Sequence, residues 1–312
     1  MVSRTEEFTE LRPLLFAIAY RILGSVSEAE DAVQETWLRY VSTDTVARNT
    51  KSFLSAVVTR IAIDVLRSAR VRREEYTGEW FPEPVLDEVY EDPERSAELA
   101  DSVSMAALLL LERLSPLERA VFVLHEVFGF PFADIATAVD RSESACRQLA
   151  VRARRHMEEG RPRFEADRRE HEELAARFVE AFREGDVDGL RELLAADVQM
   201  IGDGGGKAPA FARPVSGLEN VTRVFDSFAA MLPAANLIIE PHEVNRQPGM
   251  IVRDPDRKVL TVMAIDVADG RIQTVRAVVN PDKLAHLGPV ADAWAIHRSL
   301  AEERREQRRA GR

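Results

Sequence analysis

Between residues 141 and 156 five arginines stand against a single acid. Arg141, Ser142, Glu143, Ser144, Arg147 and Gln148 come first, then Arg152, Arg154 and Arg155. Arginine and glutamine pair bidentately with guanine and adenine edges, and serines or further arginines hold phosphates. The chemistry open to such a set is recognition of duplex DNA, if one helix carries its N-terminal side chains into a major groove. An ordinary helical hairpin with a solvated basic face has the same spacing, so the stretch alone leaves both readings open. A second basic set, Lys51, Thr59, Arg60, Asp64 and Arg67, lies in a run from Arg48 to Arg73 with seven basic residues against one acid. Beside a polar pocket it could hold unstacked bases and their backbone. Asp203, Asp266 and His242 are the candidates for general-base catalysis in an apolar cavity. No metal motif is present, and Gly204-Gly205-Gly206-Lys207 lacks the spacing of a phosphate-binding loop.

These side chains need helices at defined places. Phe132–Val139 reads as a short helix with Ile135, Ala136 and Val139 inward, and Asp140-Arg141 as a turn. Ser142 caps a second helix whose inner residues are Ala145, Cys146, Leu149 and Ala153. Asp140 stands where glycine is usual, a position aspartate tolerates in a left-handed conformation. Apolar spacing predicts helices over 4–23, ended by Gly24, over Glu28–Val41 with Ser27 and Glu30 as a capping box, and over Lys51–Arg73. Ser115-Pro116 starts another helix, with Leu117–Phe128 as its apolar body. Beyond Arg169 helices are expected at His171–Glu184 and Val187–Ala195. Strands are expected at Val198–Ile201, Asn236–His242, Gly249–Val252, Val259–Val267 and Ile272–Val279, with Asp269-Gly270 as a turn. The fold class is therefore multidomain: two all-α domains, then an α+β domain with a curved antiparallel sheet.

Bulk properties agree. At 312 residues more than one core is expected. The net charge of −11 argues against nucleic acid only as an average. From Glu74 to Ser104 eleven acids face one arginine, so an acidic linker separates two basic helices. A single cysteine, Cys146, excludes an internal disulfide and suits the cytoplasm, and neither a signal peptide nor a membrane span is expected.

Read together, the helical motifs resemble ECF (extracytoplasmic-function) RNA polymerase sigma factors. Ala29 to Arg39 resembles the helix that docks on the β′ clamp helices. That resemblance implies polymerase contacts at Asp31, Gln34, Glu35, Leu38 and Arg39. Ile61 to Arg67 resembles the helix reading the −10 element, implying Lys51, Thr59, Arg60, Asp64 and Arg67 there. Leu114 to Arg155 resembles the −35 reader, implying Arg141 to Gln148 and the three later arginines. The implied partners are core RNA polymerase (β′ and β subunits) and promoter DNA, with no membrane and no cofactor. The residues after Arg163 resemble a SnoaL-like domain, an extension found in one sigma subgroup. Trp80-Phe81-Pro82-Glu83-Pro84, Asp203-Gly204-Gly205-Gly206-Lys207 and Asn280-Pro281-Asp282-Lys283-Leu284 carry that likeness. In that subgroup the extension is thought to replace a separate anti-sigma factor. The expectation is that the last two segments clasp the first, with Asp203 and Lys207 pairing together or with partners. Binding of a small molecule in the C-terminal pocket remains a second reading. The expected domains are 1–75 (polymerase and −10), 76–94 (acidic linker), 95–162 (−35), 168–287 (SnoaL-like) and 288–312 (basic tail).

Overall fold

The computed structural model describes residues 3–43, 49–86, 102–160, 168–229 and 235–299. Expectations about the acids from Asp87 to Asp101, Arg48, and the tail from Leu300 lie outside them, as do the side chains of Arg70, Arg72 and Arg73. The chain forms two compact units. One joins the first 75 residues to 87–161, and the other joins 76–86 to the chain from 162 onward.

The first unit is helical: α1 (Arg4–Leu23), α2 (Val26–Ser42), α3 (Thr50–Glu74), α4 (Met105–Leu111), α5 (Pro116–Phe122), α6 (Phe132–Val139) and α7 (Glu143–Gly160). Ser3 and Glu6 cap α1 reciprocally, and Gly24 ends it at φ 70°. The cap of α2 differs from expectation: Ser25, not Ser27, accepts from Glu28 N, and the Ser27 hydroxyl bonds Ser25 Oγ instead. Two residues of offset suffice, because whichever serine sits in extended backbone can reach the third amide. Leu15, Ile18, Ile22, Leu54, Val58 and Ala62 are buried. Tyr40 is buried while Val41 is 43% exposed, so Tyr40 ends the inward face of α2. The Ser115–Glu118 capping box starts α5, but the apolar body then widens into a π-helical turn, Val123–Val127.

The second unit begins with α8 (Arg168–Glu184) and α9 (Val187–Leu193). Strand β1 (Leu194–Asp203) starts at once, so Leu194 and Ala195, expected in the helix, belong to the sheet. Then come β2 (Val215–Ser216), α10 (Leu218–Ala229), β3 (Ile238–Val244), β4 (Gln247–Arg253), β5 (Val259–Ala268), β6 (Arg271–Val278) and α11 (Pro281–Leu284). The order is β2-β1-β6-β5-β4-β3. All neighbours run antiparallel except β1 and β6, which are parallel. The sheet is thus mostly antiparallel, as expected, with one parallel pair that the sequence did not announce. Helix α10 was not anticipated, although Leu218, Val221, Phe225 and Phe228 carry its period. Phe178 and Phe182 stack on each other and meet Phe225 edge-on, at centroid distances of 5.7–6.2 Å, in one core with Met200, Met250, Met263 and Val275. Asp269 and Gly270, at φ 52° and 65°, turn β5 into β6 as expected.

Candidate functional site

On α2, Asp31, Gln34 and Arg39 are exposed, Glu35 is half-buried and bonds Arg39 at 2.8 Å, and Leu38 shows 53% of its surface.

On α3, Lys51, Arg60, Asp64 and Arg67 are exposed, the last two joined at 3.3 Å. Thr59 is wholly buried and offers nothing to a ligand in this arrangement.

Helices α6 and α7 form the helix-turn-helix. Asp140 takes left-handed backbone (φ 52°, ψ 57°), and Ser142 Oγ caps α7 by accepting from Ala145 N at 3.2 Å. Replacing Asp140 by valine should cost about 1–2 kcal/mol in urea unfolding, because branched side chains resist that conformation, whereas glycine should be tolerated. Equal stability of the two variants would show the turn to be unstrained. Cys146 is fully buried, and burial pushes its thiol above the ordinary range.

The arginines of α7 are already paired: Arg147 with Glu143 (2.7 Å), Arg152 with Glu118 (3.0 Å), Arg154 with Glu126 (2.7 Å) and Arg155 with Glu159 (3.6 Å). Burial raises the Glu118 carboxyl, but hydrogen bonds from Ser115 and Arg152 outweigh it and leave it below the usual range. Where both partners are exposed, as in Arg147–Glu143 and Arg155–Glu159, such a pair contributes at most about 1 kcal/mol. Glu118 and Glu126 lie on other elements, which is why charge counting along α7 missed them. Val151, 66% exposed one turn beyond Arg147, was also missed.

In the second unit the three glycyl and prolyl segments meet. The Asp203 carboxylate, fully buried at the end of β1, accepts from Tyr76 Oη (2.5 Å) and Phe81 N (2.8 Å), and ion-pairs with Lys283 Nζ (2.5 Å). Lys283 also donates to Phe81 O, so one residue of the linker is held through both its backbone N–H and its C=O. Its ammonium lies 4.3 Å from the Trp80 ring centre and 4.7 Å from that of Tyr76. Asn280 caps α11 through Oδ1 and gives its Nδ2 to Tyr76 Oη at 2.7 Å. Burial, with the adjoining Asp203 charge, pushes the Tyr76 phenol well above its ordinary range. Gly205 has φ 56°, and a Cβ there would lie 2.4 Å from Asn280 Nδ2 and 2.7 Å from Tyr76 Oη, so only glycine admits this approach. Asp203 and Lys207 do not pair with each other: Lys207 bonds Asp282 at 2.5 Å.

Further along the linker, Pro82, Glu83 and Pro84 are buried. His286 Nε2 lies 2.7 Å from Pro84 O. Asn245, in the tight β3–β4 turn with Arg246 (φ 52° and 59°), accepts from Val85 N at 3.1 Å and donates its own N–H to Val85 O at 2.7 Å. Tyr76, Asn245 and His286 escaped sequence reasoning. The alternation ending at Val244 could have located the turn, but nothing local names Val85 as its partner.

The three catalytic candidates are not gathered. Asp203 is saturated by donors, and His242 lies on β3, four strands away or about 19 Å at normal spacing. Asp266 pairs with Arg276, whose ionisation burial lowers to about 10. Among the described residues no group of three or more His, Cys, Asp or Glu could hold a metal ion, and no helix is long and apolar enough to cross a membrane.

Residues 8–72 match the family model for Sigma-70 region 2, residues 104–157 that for Sigma-70, region 4, and residues 175–280 that for the SnoaL-like domain. The chain is similar to ECF RNA polymerase sigma factor SigJ of Mycobacterium tuberculosis, 40% identical over 286 residues, covering 89% of this chain and 92% of that one. It is also similar to the probable ECF RNA polymerase sigma factor SigI of the same organism, at 33% over 279 residues, covering 88% and 92%. The crystal structure of Mycobacterium tuberculosis SigJ superposes with TM-score 0.69 at 35% identity, covering 90% of this chain and 98% of that one.

Proposed function

Because the chain belongs to the ECF RNA polymerase sigma factors, which bind core polymerase and promoter DNA to direct transcription initiation and are not enzymes, we propose that its SnoaL-like domain sets that activity in cis by clasping the linker at residues 76–86. The supporting observation is the Phe81 backbone, held at its N–H by Asp203 and at its C=O by Lys283. The clasped stretch follows α3 directly and leads on toward α4. A linker so held is not free to engage the polymerase. No separate anti-sigma factor is then required. In this reading Asp31, Gln34, Glu35, Leu38 and Arg39 meet the polymerase β′ subunit, α3 contacts the −10 element, and the α7 arginines exchange their acids for phosphates at −35.

The test is run-off transcription with sigma-free core polymerase on genomic promoter fragments. The full chain is compared with Trp80→Ala and Asn245→Ala, neither of which lies on a DNA-reading helix. Both variants are expected to shift transcript yield at least about threefold in the same direction, since each lost clasp contact contributes about 1 kcal/mol. Yields equal to the parent for both, with folding verified, would remove regulation in cis and leave initiation intact.

A further inference from the structure

The buried side of α7 is set by Cys146, Leu149, Ala150 and Ala153. Arg152 and Arg154 border that side and turn back to Glu118 and Glu126 of neighbouring elements. At roughly 100° per residue, the line opposite the buried side carries Ser144, Gln148, Val151 and Arg155, with Arg147 at its edge. All five are exposed. Four of them are polar or charged, and Val151 stands in their midst with 66% of its surface open.

A single exposed valine on a protein surface is ordinary. Its place on α7 is what restricts its use. A helix seated in a major groove turns its outward line toward the base edges. Those edges carry hydrogen-bond donors and acceptors, which a valine cannot serve, and one apolar feature, the C5 methyl of thymine. Against any other base the valine displaces water from polar groups and returns no bond, so it penalises the wrong base as well as favouring the right one. Valine in a helix keeps one preferred rotamer, so its two methyls are presented at little ordering cost. Arg147, four residues before it, is held from two sides, by Glu143 at 2.7 Å and over the Phe132 ring at 5.2 Å. Val151 lies one helical turn further on, about 5–6 Å, which spans one to two base-pair steps of roughly 3.4 Å.

We propose that Val151 is a specificity-determining residue of the −35 reader, packing on the methyl group of one thymine beside the bases reached by Arg147 and Gln148. This rests on the assignment of α7 to the −35 element made above, and is independent of the clasp on residues 76–86.

The experiment uses holoenzyme assembled from core polymerase and the full chain, on a promoter fragment that it binds. Each thymine of the −35 element, on either strand, is replaced singly by deoxyuridine, which removes the methyl and leaves every hydrogen-bonding group in place. Competition against the unmodified fragment gives the relative affinity. One uracil position should weaken binding about three- to fivefold, the worth of burying one methyl. Holoenzyme carrying Val151→Ala should bind the unmodified fragment that much more weakly and be indifferent to uracil at the same position. Alanine is the better helix former, so folding is not at stake. Uracil tolerated by the parent at every position, or a −35 element without thymine, would overturn the inference. So would an equal uracil penalty in both proteins, since another side chain would then read the methyl. A fragment with a scrambled −35 element that competes as well as the original would overturn the −35 assignment and the inference with it, a result distinct from tolerance of uracil.

Discussion

Replacing Asp203 by asparagine is expected to release residues 76–86 from the SnoaL-like domain. The carboxylate is fully buried and holds a phenol, a backbone amide and an ammonium. An amide in its place keeps the shape but loses the charge, and one of its two ends can no longer accept. Lys283, only 8% exposed, is left as a buried cation without its counter-ion. Breaking a buried pair from one side typically costs about 3–5 kcal/mol. The chain can avoid that cost by letting the linker swing out and water reach Lys283, so the loss should appear as local opening rather than global unfolding. Hydrogen exchange at the Phe81 and Val85 amides should therefore accelerate by about two orders of magnitude or more, while amides within β5 and β6 keep their protection. Removing both charges, Asp203→Leu with Lys283→Met, should restore part of the protection, since an apolar pair carries no desolvation cost. Unchanged exchange at Phe81 in the single variant would mean that the ionic cluster does not hold the linker.

Arg119→Ala should be the most damaging single change in the helical unit. Arg119 is 1% exposed, pairs with Glu112, and donates through Nε to Arg21 O at 2.8 Å, tying α5 to the last turn of α1. Arg21 is itself buried and reaches Ser102 Oγ at 2.9 Å and the face of Phe128 at 5.3 Å. Truncation removes a large buried side chain, strips Glu112 of its cation and leaves a cavity. Glu112 keeps 19% exposure, which softens the electrostatic part, so about 2–4 kcal/mol is expected in urea unfolding. Lysine should recover little, because one ammonium cannot serve the Arg21 carbonyl and the Glu112 carboxylate with the fork geometry of a guanidinium. Full stability of Arg119→Lys would show that charge alone matters there.

Much of the molecule follows from short-range rules. Apolar spacing and caps define α1, α3, α6 and α7, because a helix is held by bonds three and four residues apart and its ends by side chains at the same reach. Asp140 in left-handed backbone and the Asp269-Gly270 turn were legible for the same reason. The choice of Ser25 over Ser27 was not, since either serine satisfies the local rule. Nor was the parallel pairing of β1 with β6, which the intervening chain makes possible but no alternation of residues encodes.

The sequence by itself determined the family, the order of the helical modules, the α+β character of the extension and the three segments that bear its likeness. Only the tertiary structure decided what those segments hold. Asp203 meets Phe81 across 122 residues and Asn280 meets Tyr76 across 204, and both contacts exist because the end of β1 lies beside the end of β6. The same holds for the acids that neutralise the α7 arginines. Charge and propensity can be counted along a chain, but the partner of a buried polar group is chosen by packing that brings distant residues together.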